Sequence, residues 1–89
     1  MKELTENQKR LANTAVNALK KLQSLGVETM VIDGGGGCCG LTFWRPTIDE
    51  RRNAYEIVSY PNDPKHEEFE DTCYSPSRSI GLRIDIIVP

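Results

Sequence analysis

Apolar residues recur along the start of the chain at the spacing of one helix face. They lie three or four positions apart, which predicts an amphipathic helix over Thr5–Leu25. This face consists of Leu11, Ala15, Ala18, Leu19, Leu22 and Leu25. Thr5 and Gln8 have the spacing of a capping box, and Gly26 readily adopts the positive φ that ends many helices. The sequence therefore predicts both ends of this helix.

Four later segments alternate between apolar and polar residues, as strands do. They are Val27–Asp33, Leu41–Arg45, Ala54–Tyr60 and Ile80–Val88. The last segment is the clearest, so we expect it to be the central strand. A sheet with such an apolar face needs a cover, and the N-terminal helix is the natural one. The predicted fold is α+β, with one N-terminal helix packed on a mostly antiparallel four-stranded sheet, in the order helix-strand-strand-strand-strand. We expect residues 1–89 to form a single domain.

The segments between the predicted strands lack this alternation and are rich in charged and polar residues. Thr47–Asn53 is rich in charge and is predicted to be a turn or an exposed loop. Asp63 is a candidate cap for a short helix with Pro64 at its first position, which runs through Lys65 to Asp71. The acidic residues of this stretch are typical of a solvated surface, or of a contact for a basic partner.

Composition narrows the classes of function. The net charge is −2 and the pI is about 5.3, which argues against non-specific binding to nucleic acid. No apolar run approaches the roughly 20 residues that span a bilayer, and the N-terminus does not resemble a signal peptide. We therefore expect a cytoplasmic protein without a membrane segment. A chain of 89 residues buries only a modest core, so self-association into a homo-oligomer is a further expectation.

A run of glycines and cysteines stands out between the first two predicted strands, within residues 33–40. It contains Gly34, Gly35, Gly36, Gly37, Cys38 and Cys39. Successive glycines are typical of a mobile hairpin tip, or of backbone shapes that turn N–H groups inward around an anion. The run matches neither the phosphate-loop pattern nor the dinucleotide fingerprint. It remains open whether this loop is a simple tip or a binding site.

Three cysteines cannot all pair within one chain, and free thiols are the default in a cytoplasmic protein. The pair Cys38 and Cys39 could simply pack as small residues. Because adjacent cysteines rarely bond to each other, a redox-active disulfide would join one of them to Cys73. A zinc site would need His66 as well, but these spacings match no common zinc motif. No cofactor is expected.

Trp44 and Arg45 follow the glycine run directly. An exposed Trp-Arg pair could recognise a protein surface or stack a base, whereas a buried Trp44 would belong to the core. Strand alternation places Phe43 on the face opposite Trp44. Three tyrosines are further candidate anchors if they are exposed, namely Tyr55, Tyr60 and Tyr74.

No arrangement of residues in the sequence indicates catalysis. We therefore expect a small acidic binding module that acts through protein–protein contacts, as a regulator or inhibitor does. One alternative is a binder of a small anionic ligand or nucleotide at residues 33–40. A second is a thiol redox or metal-binding protein that uses Cys38, Cys39 and Cys73. The candidate binding residues are Gly34, Gly35, Gly36, Gly37, Cys38, Cys39, Trp44 and Arg45.

Overall fold

Helices outnumber strands in the computed structural model, which describes residues 1–32, 40–76 and 79–84. The helices are α1 (Glu6–Ser24), α2 (Ile48–Arg52), α3 (Ala54–Ser59) and α4 (His66–Thr72). The strands are β1 (Glu28–Ile32) and β2 (Gly40–Trp44), which form a two-stranded antiparallel sheet. The predicted four-stranded sheet is therefore wrong, although the arrangement is still α+β. None of the helices in these ranges has the length and apolar content needed to cross a membrane.

The first helix is confirmed together with its caps. Thr5 Oγ1 accepts a hydrogen bond from the Gln8 N–H at 3.1 Å, and Gln8 Oε1 accepts one from the Thr5 N–H at 2.9 Å. Gly26 follows the helix with a φ of +84°. Only the C-terminal end of α1 approaches the sheet, because every residue before Leu19 is exposed. The prediction that α1 covers the sheet along its apolar face is therefore wrong.

The sheet lies in the middle of the described structure. β1 pairs with β2 from Glu28 opposite Trp44 to Ile32 opposite Gly40. On its other edge β2 forms one bridge, in which Phe43 and Tyr74 exchange N–H···O bonds of 2.8 and 2.9 Å. This bridge fixes the segment after α4 against β2.

The core lies on one face of the sheet, where α3 and α4 pack. Its buried apolar residues are Trp44, Ile57 and Phe69. The rings of Trp44 and Phe69 meet edge to face with centroids 5.0 Å apart, a favourable arrangement for aromatic pairs. Because strand neighbours alternate, Val31 and Phe43 belong to the opposite face. Val31 is exposed and Phe43 is half-buried, so this second face stays partly open.

The predicted strand Ala54–Tyr60 is wrong, because this segment forms helix α3. Ile57 is buried, and Ala54 and Val58 pack beside it at helical spacing. The predicted loop over Thr47–Asn53 is also wrong, since it contains α2. Thr47 begins α2 with a capping box, and the backbone continues directly into α3 through a 3.0 Å bond from the Ile57 N–H to the Asn53 carbonyl.

The predicted strand Ile80–Val88 is wrong over its described part. Ile80 and Gly81 lie in a turn, and residues 82–84 belong to no strand. Gly81 has a φ of +72°, which interrupts the extended backbone that the alternation suggested. Residues 85–88 lie outside the described ranges, and the described residues of this segment do not form the expected central strand.

The short helix after Pro64 is confirmed as α4, but its predicted cap is wrong. The residue before the helix is Lys65, with no side-chain cap. Asp63 accepts a hydrogen bond from the Lys65 N–H at 2.9 Å, so its carboxylate holds the turn before the helix. Phe69 is buried, as the main apolar residue of this helix should be.

Candidate functional site

A cleft of about 360 Å³ opens between the end of α1 and the end of β2. We call it the aromatic cleft. It is lined by Leu22, Val27, Phe43, Trp44, Arg45, Thr72 and Tyr74. These residues come from α1, both sides of the sheet and the end of α4. The cleft therefore exists only in the folded chain.

The aromatic walls are set by the pairing of β2. Phe43 is half-buried, and its backbone bonds to Tyr74 hold the two residues side by side. Tyr74 keeps 66% of its surface exposed. Leu22, half-buried in the last turn of α1, contributes to the lining from the helix. Two aromatic residues and a leucine thus form most of an open apolar surface.

Trp44 supports the cleft from the core. Its side chain is only 6% exposed and lies against Phe69, which matches the core alternative considered for this residue. Trp44 and Arg45 therefore do not form an exposed pair. Trp44 contributes to the lining, while its packing holds the end of β2 in place.

Arg45 brings a positive charge to the apolar lining. It is exposed and forms no ion pair with any residue in the described part of the chain. A guanidinium group matches the geometry of a carboxylate and can bind it through two parallel hydrogen bonds. The arrangement suits an apolar group that carries a negative charge.

A second cavity, of about 450 Å³, lies between α2, α3 and the turn before α4. Its charges already have partners. Glu50 accepts a hydrogen bond from the Thr47 N–H at 2.8 Å and lies 3.6 Å from Lys65 Nζ. The Thr47 backbone bond, with a smaller contribution from Lys65, lowers the pKa of Glu50 although burial opposes this shift. Asp49 lies 3.9 Å from Arg52, so this cavity is held by internal ion pairs.

His66 and Cys73, the two described residues considered for a metal site, are engaged in other bonds. Both ring nitrogens of His66 face oxygen acceptors, the Ile57 carbonyl at 2.6 Å and the Glu70 carboxylate at 2.8 Å. Cys73 is disulfide-bonded, so the expectation of free thiols is wrong for this residue. A sulfur in a disulfide is not the thiolate that binds zinc. Across residues 1–32, 40–76 and 79–84, no group of three or more His, Cys, Asp or Glu side chains could hold a metal ion.

Two of the candidate residues from the sequence, Trp44 and Arg45, line the aromatic cleft. The candidates Gly34, Gly35, Gly36, Gly37, Cys38 and Cys39 lie outside the described residues. Tyr74 was among the possible anchors and also lines the cleft, while Tyr55 and Tyr60 pack edge to face on each other at 6.0 Å.

Sequence reasoning missed four residues that line the cleft, namely Leu22, Val27, Phe43 and Thr72. The alternation of β2 already placed Phe43 opposite the core face, and this was the available signal. Comparison with protein-family models, with curated proteins and with solved structures found no match to this chain.

Proposed function

We propose that this protein is a binding module whose aromatic cleft takes an apolar side chain flanked by a carboxylate from a partner protein. The observation that carries the proposal is the guanidinium of Arg45 on an apolar and aromatic cleft, where no described residue forms an ion pair with it. Hydrophobic walls supply affinity through burial, and a cation supplies orientation. The hydrophobic walls and the cation both serve binding, so the proposed role is recognition of a partner and not catalysis.

The aromatic residues fit this role. Residues that contribute most of the free energy of binding at protein interfaces are enriched in tyrosine, tryptophan and arginine. Tyr74 offers a large exposed ring, and its two backbone bonds to Phe43 hold its backbone against one edge of β2. Because the backbone of Tyr74 is held before binding and a tyrosine has only two side-chain torsions, ordering this side chain costs little entropy when a partner arrives.

The test uses Trp44, the one tryptophan of the chain, as a fluorescent reporter on the cleft. The probes are blocked peptides in a glycine-serine background with a central leucine flanked by glutamates, and matched peptides with lysine flanks or with serine in place of leucine. We expect only the first peptide to change the emission at low concentration. Arg45→Gln should lower the affinity for this peptide by about 3- to 10-fold, the range for one partly exposed charged contact.

Arg52→Gln is the matched control, because Arg52 is an exposed arginine on α2 that does not line the cleft. Arg52→Gln should leave the affinity for the peptide unchanged. If phenylbutyrate binds with the same dependence on Arg45 while no peptide does, a small anionic ligand of the cleft replaces the partner protein of this proposal. If neither class of probe binds, the proposal is wrong.

A further inference from the structure

We infer that the partner is a second copy of this chain, whose α1 lies antiparallel along α1 of the first copy and places Leu4 in the aromatic cleft, with Glu3 near Arg45. The inference rests on the proposed function of the cleft. It is carried by two observations that do not depend on each other. They are the spacing of the exposed face of α1 and the charges at its free end.

The exposed face of α1 has the spacing of a helix–helix contact. Its apolar residues alternate in steps of three and four, with Gln8 as the one polar member. We call this face the helix seam. On α1 it contains Leu11, Ala15, Ala18 and Leu22, and Leu4 and Leu25, just outside the two ends of α1, continue the spacing in the sequence. A repeat of 3.5 residues keeps a seam of this kind facing a second helix over its whole length.

Among the described residues, the seam is largely uncovered, and only Leu22 is half-buried. Leu4 is 56% exposed and Leu11 is 60% exposed, and Ala15 and Ala18 are exposed as well. At its C-terminal end the seam reaches Leu22, which also lines the aromatic cleft. The seam and the cleft are therefore one continuous apolar surface.

The charges favour an antiparallel arrangement of two copies. A pair centred between Ala15 and Ala18 brings Leu11 of one copy opposite Leu22 of the other. The two alanines then face each other and allow the helices to approach closely. In this register Lys21 lies at the level of residues 12–14 of the second copy, which carry no charge. A parallel pair would instead bring the lysines of both copies to the same level and align the helix dipoles unfavourably.

The same register carries the N-terminal residues of each copy past the end of the other copy's α1. Leu4 then reaches the level of β1, beside the cleft. It is flanked by Glu3 and Glu6, of which Glu3 forms no ion pair with any described residue. The exposed Leu4 matches the apolar walls of the cleft, and the carboxylate of Glu3 matches the positive charge of Arg45. Because the two copies are related by two-fold symmetry, each of these contacts occurs twice in the dimer.

The test of the seam is sedimentation equilibrium of the oxidised protein over a series of concentrations. We expect a monomer–dimer equilibrium that Ala18→Glu shifts toward monomer by about 10-fold or more, because an unpaired charge would be buried at the centre of the seam. Asn13→Glu adds the same charge on the far side of the same helix and should have no effect. Both positions are exposed, and glutamate is a good helix former, so circular dichroism should show unchanged folding.

The placement of Leu4 is tested by a charge swap. Arg45→Glu should weaken the dimer several-fold, and Glu3→Lys in the same chain should restore it. A chain that stays monomeric at every concentration, yet binds acidic peptides through Arg45, overturns this inference and leaves the proposed function standing. If the wild-type chain dimerises but the dimer affinity is unchanged by Arg45→Glu, the placement of Leu4 is wrong. A chain that neither dimerises nor binds the peptides overturns both.

Discussion

His66 joins α4 to α3 through one ring nitrogen, and its other ring nitrogen faces a carboxylate on α4 itself. Nδ1 donates to the Ile57 carbonyl at 2.6 Å, and Nε2 lies 2.8 Å from a carboxylate oxygen of Glu70. Two acceptors favour the doubly protonated ring, because a neutral ring has only one N–H to donate. The Ile57 carbonyl contributes most to raising the pKa of His66, Glu70 adds to it, and burial opposes it. In its protonated form the ring therefore links α4 to α3 through Nδ1 and forms an ion pair with Glu70 through Nε2.

This link should make stability fall as the pH rises. Because the folded pKa of His66 lies above its ordinary value of 6.5, the link contributes fully below that pH. Its contribution is lost as the pH rises through the folded pKa, with a slope of at most about 1.4 kcal/mol per pH unit for one proton. Urea unfolding at a series of pH values measures this slope.

Glu70→Gln should flatten the pH dependence, since a glutamine amide can donate to the neutral Nε2. Glu67→Gln removes an exposed carboxylate from the first turn of the same helix and should keep the slope. Stability that rises over this pH range, or an equal slope in the Glu70 variant, would contradict the account.

At the scale of elements, α2 and α3 depend on a single cap. Thr47 Oγ1 accepts a hydrogen bond from the Glu50 N–H at 3.1 Å, and Glu50 Oε1 accepts one from the Thr47 N–H at 2.8 Å. These two bonds satisfy N–H groups that the first turn of a helix leaves without partners. Because α2 runs directly into α3, the cap also sets the position of Ile57 in the core.

Thr47→Ala should lower the free energy of unfolding by about 1 kcal/mol, the usual loss for a threonine cap. Thr47→Ser keeps the hydroxyl and should retain most of the stability. The midpoint of urea unfolding compares the two variants. Equal losses in both would mean that the methyl group, and not the capping bond, is what matters at this position.

The elements that the sequence predicts well are those with a local signal. The caps of α1 and the alternation of β1 and β2 are readable from neighbouring residues. Ala54–Tyr60 fits two periods, because Tyr55 and Ile57 alternate as in a strand while Ala54, Ile57 and Val58 follow a helix. The capping box at Thr47 was the signal that decides for helix. Ile80–Val88 has strand alternation, but a strand also needs a partner that its own sequence cannot specify.

The candidate site was only partly predictable for the same reason. Arg45 stands out beside the only tryptophan, so sequence alone selects it. The contact of Phe43 with Tyr74 joins residues far apart in the chain, and no local pattern encodes it. Leu22 was read as part of a covered helix face, and its place on the cleft follows from how little of α1 meets the sheet.

At the scale of the whole molecule, the disulfide of Cys73 is the strongest single constraint. Cys73 is half-buried at the end of α4 and packs against the core cluster. The other two cysteines of the chain, Cys38 and Cys39, adjoin each other in sequence and lie outside the described residues. A bond to either one closes a loop of nearly the same size. The core, with three buried apolar residues among those that the structure describes, therefore has covalent support.

Reduction should destabilise the protein markedly. A loop of about 35 residues corresponds to roughly 4 kcal/mol of lost chain entropy in the unfolded state. Thermal unfolding with and without dithiothreitol measures the change, and we expect a lower midpoint in the reduced protein. Cys73→Ser should unfold near the midpoint of the reduced protein and should not respond to the reductant. A wild-type midpoint that reductant does not move would show that the bond contributes little. In a reducing cytoplasm the less stable, reduced form would be present.

We expect the backbone amides at the exposed start of α1 to be less protected against hydrogen exchange than the amides beside the core. In a single copy, the backbone amides before Leu19 are held only by the hydrogen bonds of the helix itself, with no packed side chains over them. A helix of this kind opens from its ends while the rest of the protein stays folded. The amide of Phe43 is bonded to Tyr74 beside the core and opens only when that core does. The described part of the chain therefore contains a core that opens as a unit and a helix that can unwind turn by turn from its exposed end.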